Sequence, residues 1–147
     1  MASLPPSVIT ALEAFAAPDR KQSVHELAVD PSGPAEVTLA DLTGSVEWVD
    51  MAVAHPLGPD RSDPEGMRRL LQAMGAEGRC AVLSAAGSED DRDLGGALDG
   101  VLHQDGGALV VCRPGPLALL ITGRGEHWLL SDRDIPQLTG PIGVVQP

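Results

Sequence analysis

Three short apolar runs lie close together in the second half of the chain: "ALVVC" (Ala108–Cys112), "LALLIT" (Leu117–Thr122) and "EHWLLS" (Glu126–Ser131). Only "RPGP" and "GRG" separate them. Short apolar runs bounded by Pro and Gly read as strands, and strands joined this tightly pair antiparallel. This feature commits the fold to an antiparallel meander. A fourth run, "RCAVLS" (Arg79–Ser84), is continuously apolar through its middle and reads as a central strand.

Three segments carry helical spacing. In "PPSVITALEAFAAPDR", Ser7 is the capping candidate, Val8, Leu12 and Phe15 form a stripe, and Pro18 ends it. The clearest helix has Asp63 as N-cap, Pro64 at the first helical position and Glu65 at the positive helix end. Its Met67, Leu70, Leu71 and Met74 fall at i, i+3, i+4 and i+7, and Gly75 suits its C-terminal stop. The third follows the run "SEDDRD", read as an acidic loop and helix start, and has the stripe Leu94, Leu98 and Val101. Gly95, Gly96 and Gly100 each weaken that helix by roughly 1 kcal/mol against Ala, so it depends on packing.

Between the first two helices the period changes. Leu27 and Val29 alternate with polar or small neighbours, then Val37 and Leu39, then Val49, Met51 and Val53, with "DPSG" and "LTGS" as turns. This predicts a first three-stranded meander with one wet face. The expectation is a single α+β domain over residues 1–147. It comprises a mostly antiparallel sheet of two three-stranded meanders plus a central strand, three helices, and an irregular tail over 135–147. A chain of 147 residues, 43% hydrophobic, can bury roughly 68–70% of its unfolded surface without a metal or disulfide staple.

Charge narrows the partners. Ten Lys and Arg against 21 Asp and Glu leave a formal net charge of −11. That field repels phosphate backbones and anionic membranes, so neither nucleic acid nor membrane is expected. The expected partner is another protein, basic or amphipathic. The N-terminus lacks the basic and apolar regions of a signal peptide, and no apolar run approaches the ~18 residues of a membrane helix, so the expected setting is cytoplasmic. Cys80 and Cys112, far apart in apolar runs, read as buried thiols rather than a disulfide.

The stretch "HWLLSDRD" (His127–Asp134) looks most like chemistry, with a histidine and two carboxylates, Asp132 and Asp134. A thiol nucleophile needs a helix N-terminus and a neighbouring histidine. Cys80 lies inside a strand and Cys112 precedes a turn. Ser84 in "VLSAAG" lacks the flanking glycines of a nucleophile elbow. His25, His55, His103 and His127 are scattered without ligand spacing, "SEDDRD" lacks the spacing of a calcium loop, and "GRG" (Gly123–Gly125) is explained by a hairpin turn. Alternation predicts Trp128 and Leu130 inward and His127 outward. No catalytic, cofactor or metal residue is therefore expected.

"EHWLLSDRD" resembles the histidine-bearing strand and acidic turn of papain-like peptidases, among them the large-tegument deubiquitinases of herpesviruses. The upstream cysteine segment of that family is absent, so the resemblance implies at most a divergent or degenerate cysteine hydrolase. The stretch from His25 to Met74, "HELAVDPSGPAEV…RRLLQAM", resembles the middle of the acidic class I chaperones of type III secretion. Those are cytosolic homodimers with a helix, a three-stranded meander and a central helix. That resemblance implies a non-enzymatic module, chaperone or adaptor, binding another polypeptide along apolar grooves. An immunity or regulatory protein with a folded partner is the other non-enzymatic expectation. Within the first meander, Trp48 shares a side with Val46 and Asp50, opposite Val49, Met51 and Val53. If that side is the wet one, Trp48, Val46 and Asp50 form the partner contact; if it is the core, the Met51 side is what a partner or helix covers.

Overall fold

A computed structural model describes residues 4, 6–30, 39–57, 64–84, 87–103, 107–112, 117–123 and 126–131. Its elements are α1 (Pro6–Phe15), α2 (Lys21–Val29), α3 (Leu39–Gly44), β1 (Ala54–Leu57), α4 (Pro64–Ala73) and β2 (Arg79–Ser84). Then come β3 (Gly87–Asp93), α5 (Leu94–His103), β4 (Ala108–Cys112), β5 (Leu117–Ile121) and β6 (His127–Ser131). The class is α+β, with one antiparallel six-stranded sheet in the order β1-β6-β5-β4-β2-β3. The capping candidate Asp63, the turn at Pro31 and Gly33, the strand at Val37, "RPGP" and the tail 135–147 lie outside the described residues, as does the side chain of Ser7.

Strand alternation divides the core in two. Ala81, Leu83, Leu109, Val111, Ala118, Leu120 and Leu130 pack on one face with Val8, Leu12, Phe15, Val24, Leu27 and Leu42 from α1, α2 and α3. Cys80, Val82, Val110, Cys112, Leu117, Leu119 and Leu129 pack on the other with Met67, Leu70, Leu71, Leu94 and Leu98 from α4 and α5. The sheet is thus the middle of three layers. This is why β4 and β5 are apolar at every position, and every residue of both is buried.

The β4–β5–β6 meander, the central strand β2 and the helices α1, α4 and α5 match the expectation. Met67, Leu70, Leu71 and Met74 are all buried, and Gly75 adopts φ 107 after the last turn of α4. Leu94, Leu98 and Val101 are buried on α5, whose first turn is capped by Asp93 Oδ2 accepting from Gly96 N at 2.9 Å.

The first meander is corrected. Residues 21–29 and 39–44 are helices. The apolar set of α2 is Val24, Leu27 and Ala28, an i, i+3, i+4 stripe, whereas Val29 is 46% exposed. Treating Ala28 as solvent-facing gave a period of two to what is a helical face. The third expected strand is a loop bound to the end of α1: Ala17 N–H donates to Trp48 O and Asp50 N–H to Phe15 O, both at 2.8 Å. Trp48 and Val49 are consecutive and both buried, a pattern no strand with one wet face allows.

Both sheet edges are also new. β1 is the edge beside β6, and its Pro56 carries no N–H to offer a further strand. "SEDDRD" is not a loop but most of β3, the opposite edge. The register of β3 on β2 shifts between Cys80 and Val82, and Asp91 takes φ 57. Such irregularities, together with charge, keep an edge from pairing with further strands.

Candidate functional site

His127 opens β6, opposite Ile121 of β5 and Leu57 of β1. It is half-buried, and alternation puts it on the α4/α5 side with Leu129, while Trp128 and Leu130 pack with the α1–α3 layer. The inward direction of Trp128 and Leu130 is as expected; His127, expected to face outward, is half-buried. Asp132 and Asp134 lie outside the described residues.

The registers separate His127 from every candidate nucleophile. Ala108, Ile121 and His127 share one level of the sheet. Cys112 lies four residues away along β4, roughly 13 Å at ~3.3 Å per residue, and two strands across. Cys80 is opposite Cys112, at that same far end. Ser84 is on the level of His127 but three strands away, about 14 Å at ~4.8 Å per strand. Neither cysteine is at a helix start; both are fully buried in central strands as thiols, as expected. Burial, and then the neighbouring Cys80, push the Cys112 thiol far up, away from the thiolate form a nucleophile needs.

His55 and His127 share the α4/α5 side diagonally across the β1–β6 pair, since His55 faces Leu129 and His127 faces Leu57. No third ligand joins them: among the described residues no group of three or more His, Cys, Asp or Glu could hold a metal. His25 is on the surface of α2, hydrogen-bonded through Nδ1 to Glu13 Oε2 of α1. Trp128 Nε1 is buried and has no acceptor among the described residues.

Burial depresses the His127 pKa below the ordinary 6.5. The neutral ring is therefore favoured on folding, and the unfolded chain binds more protons below that value. This contribution is complete above about pH 6.5 and is lost as pH falls through 6.5 toward the depressed pKa. His127→Gln is expected to reduce the fall in unfolding midpoint across that window relative to the unmodified chain. An identical pH dependence for the two proteins, read by urea unfolding, would place His127 in solvent.

The expected partner contact divides. Trp48 is 2% exposed, with Nε1 donating to Leu42 O at 3.0 Å. It is a core residue and not an exposed anchor. Val46 is half-buried against the same core, and Asp50 Oδ1 accepts from Ala52 N at 3.0 Å. The two sides open in the sequence do not separate: Trp48 and Val49 are both buried, Val46 and Val53 are both partly buried against the core, and Met51 is 56% exposed.

Among the described residues, β3 carries a dense run of charge. Glu89, Asp90, Asp91 and Asp93 are exposed along one sheet edge. Arg79 Nε donates to Asp91 Oδ1 at 3.0 Å and Arg92 pairs with Glu89, so two arginines are set among four carboxylates. Sequence reasoning missed this edge because a strand without apolar residues carries no periodic signal. No helix among the described residues is long and apolar enough to cross a membrane. No family model, curated protein or solved structure matches the chain.

Proposed function

We propose that this chain is a non-enzymatic acidic module that binds another polypeptide, of adaptor or chaperone type, with a basic or amphipathic partner and a cytoplasmic setting. The observation that carries this reading is the exposed acidic edge strand β3 on a chain of net charge −11. Opposite charge steers the encounter of two proteins over distances near a Debye length, about 8–10 Å at moderate salt. The buried thiols support a reducing compartment.

One observation favours a folded or extended basic partner over an effector segment laid in apolar grooves. Among the described residues the large hydrophobics that are exposed are Val29 and Met51. Val29 ends α2 beside the start of α1, since Leu4 N–H donates to Ala28 O, whereas Met51 follows the loop tied to Phe15 at the other end of α1. A ten-residue helix, about 15 Å, separates them, so they form no shared groove.

Co-purification of the full chain from its native host tests the proposal. A polypeptide recovered in stoichiometric amount, released by salt, is the expected result, and light scattering of the purified chain decides whether it acts as a homodimer. Turnover of a peptide or isopeptide substrate, abolished by a thiol-directed probe, would replace the proposal with the divergent-hydrolase alternative.

A further inference from the structure

Cys80 and Cys112 face each other directly. They are Cα partners in the antiparallel β2–β4 ladder, and both side chains enter the α4/α5 core. Directly opposite residues in such a ladder have Cα atoms about 4.5 or about 5.5 Å apart, depending on whether the pair is hydrogen-bonded. Both values lie within the roughly 4.4–6.8 Å that a disulfide spans. The chain has two cysteines, and the fold brings residues 32 positions apart onto opposite places in neighbouring strands. The pair is reduced and fully buried: each cysteine has 0% exposure, in one core cluster with Met67, Leu70 and Leu71 of α4 and Leu94 and Leu98 of α5.

We propose that Cys80 and Cys112 are an oxidisable cross-strand dithiol, joined into an intramolecular disulfide by a low-molecular-weight disulfide when the α4/α5 layer opens. Cys80 is the first to react. It stands on β2, next to the edge strand β3, whereas Cys112 stands between β2 and β5 in the middle of the sheet. The Cys80 thiol loses its proton to solvent, and its sulfur attacks one sulfur of the reagent. The S–S bond of the reagent breaks, and the departing thiolate takes a proton. Cys112, deprotonated in turn, attacks the Cys80 sulfur of the mixed disulfide and expels the second reagent thiol. Two electrons pass from the cysteine pair to the reagent, one disulfide is exchanged for another, and two reagent thiols are released. Complete burial of both thiols makes exchange slow in the closed protein and ties its rate to opening.

The test is incubation of the folded full chain with oxidised glutathione, followed by alkylation, intact mass and peptide mapping without reduction. The expected product has lost the mass of two hydrogens, carries no glutathione, and yields one linked peptide pair containing Cys80 and Cys112. Its unfolding midpoint is higher than that of the reduced chain and returns to it on reduction. Cys112→Ala should instead accumulate one stable glutathione adduct at Cys80. Should that variant fail to fold, the unmodified chain still decides the matter through its own products. Glutathione adducts on both cysteines, disulfide-linked dimers, or no reaction of the folded chain under conditions that oxidise the unfolded one would each overturn the proposal.

Discussion

Gly107→Ala is expected to prevent stable folding or to cost more than ~4 kcal/mol, against a total of about 5–15 kcal/mol for a domain. A Cβ placed on Gly107 would lie 1.6 Å from Thr43 O, 2.5 Å from Thr43 C and 2.9 Å from Gly44 Cα. All three are backbone atoms at the end of α3, so no side-chain rotation relieves the overlap. Moving α3 away breaks a second tie, the Gly123 N–H donating to Gly44 O at 3.1 Å. It also withdraws Leu42, fully buried on that face of the sheet. Gly100→Ala is the informative contrast. A Cβ there meets nothing within 4 Å, and Gly100 is exposed on α5, so the change should stabilise by ~0.5–1 kcal/mol. Urea unfolding of the two variants beside the parent measures both; a Gly107→Ala protein of parental stability would contradict the placement of α3 on the sheet.

Trp48→Ala is expected to destabilise the isolated chain by about 3–5 kcal/mol, the range for truncating a buried large aromatic. The indole is 2% exposed and packs in the α1–α3 layer. Truncation opens a cavity and also leaves Leu42 O without the donor it has at 3.0 Å. Trp48→Phe separates the two effects, because it keeps most of the volume and removes the donor. Chemical unfolding without any partner is the measurement. If Trp48→Ala left stability unchanged and only speeded dissociation of a complex, the residue would be a surface anchor after all.

What the sequence discloses depends on how much of each element's environment is written into its own residues. "ALVVC" and "LALLI" are apolar throughout because both faces of β4 and β5 are covered, and α4 advertises itself through four apolar residues at helical spacing. β3 is covered on neither side at Ser88–Asp91, so nothing in "SEDD" distinguishes an edge strand from a loop. α2 was concealed by one small residue: Ala28 is buried, and only Val24 read together with Leu27 and Ala28 shows the helical face. The loop at Trp48 and Val49 is set by hydrogen bonds to the end of α1, a tertiary contact that no local pattern encodes. Cys80, Cys112 and Ser84 lacked the settings of nucleophiles in the sequence, and the registers place all three far from His127. The mutual facing of the two cysteines was not legible, because it depends on the register of β2 on β4.

The measurement that bears most directly on the acidic-module account is the association rate of the full chain with its co-purified partner across a salt series. The account predicts an association rate that falls steeply as salt rises, with a dissociation rate that changes little, because opposite charge steers the encounter. Replacing Glu89, Asp90 and Asp93 by their amides should lower the association rate at low salt and flatten its salt dependence. An association rate independent of salt, or one unchanged by neutralising those three carboxylates, would contradict it.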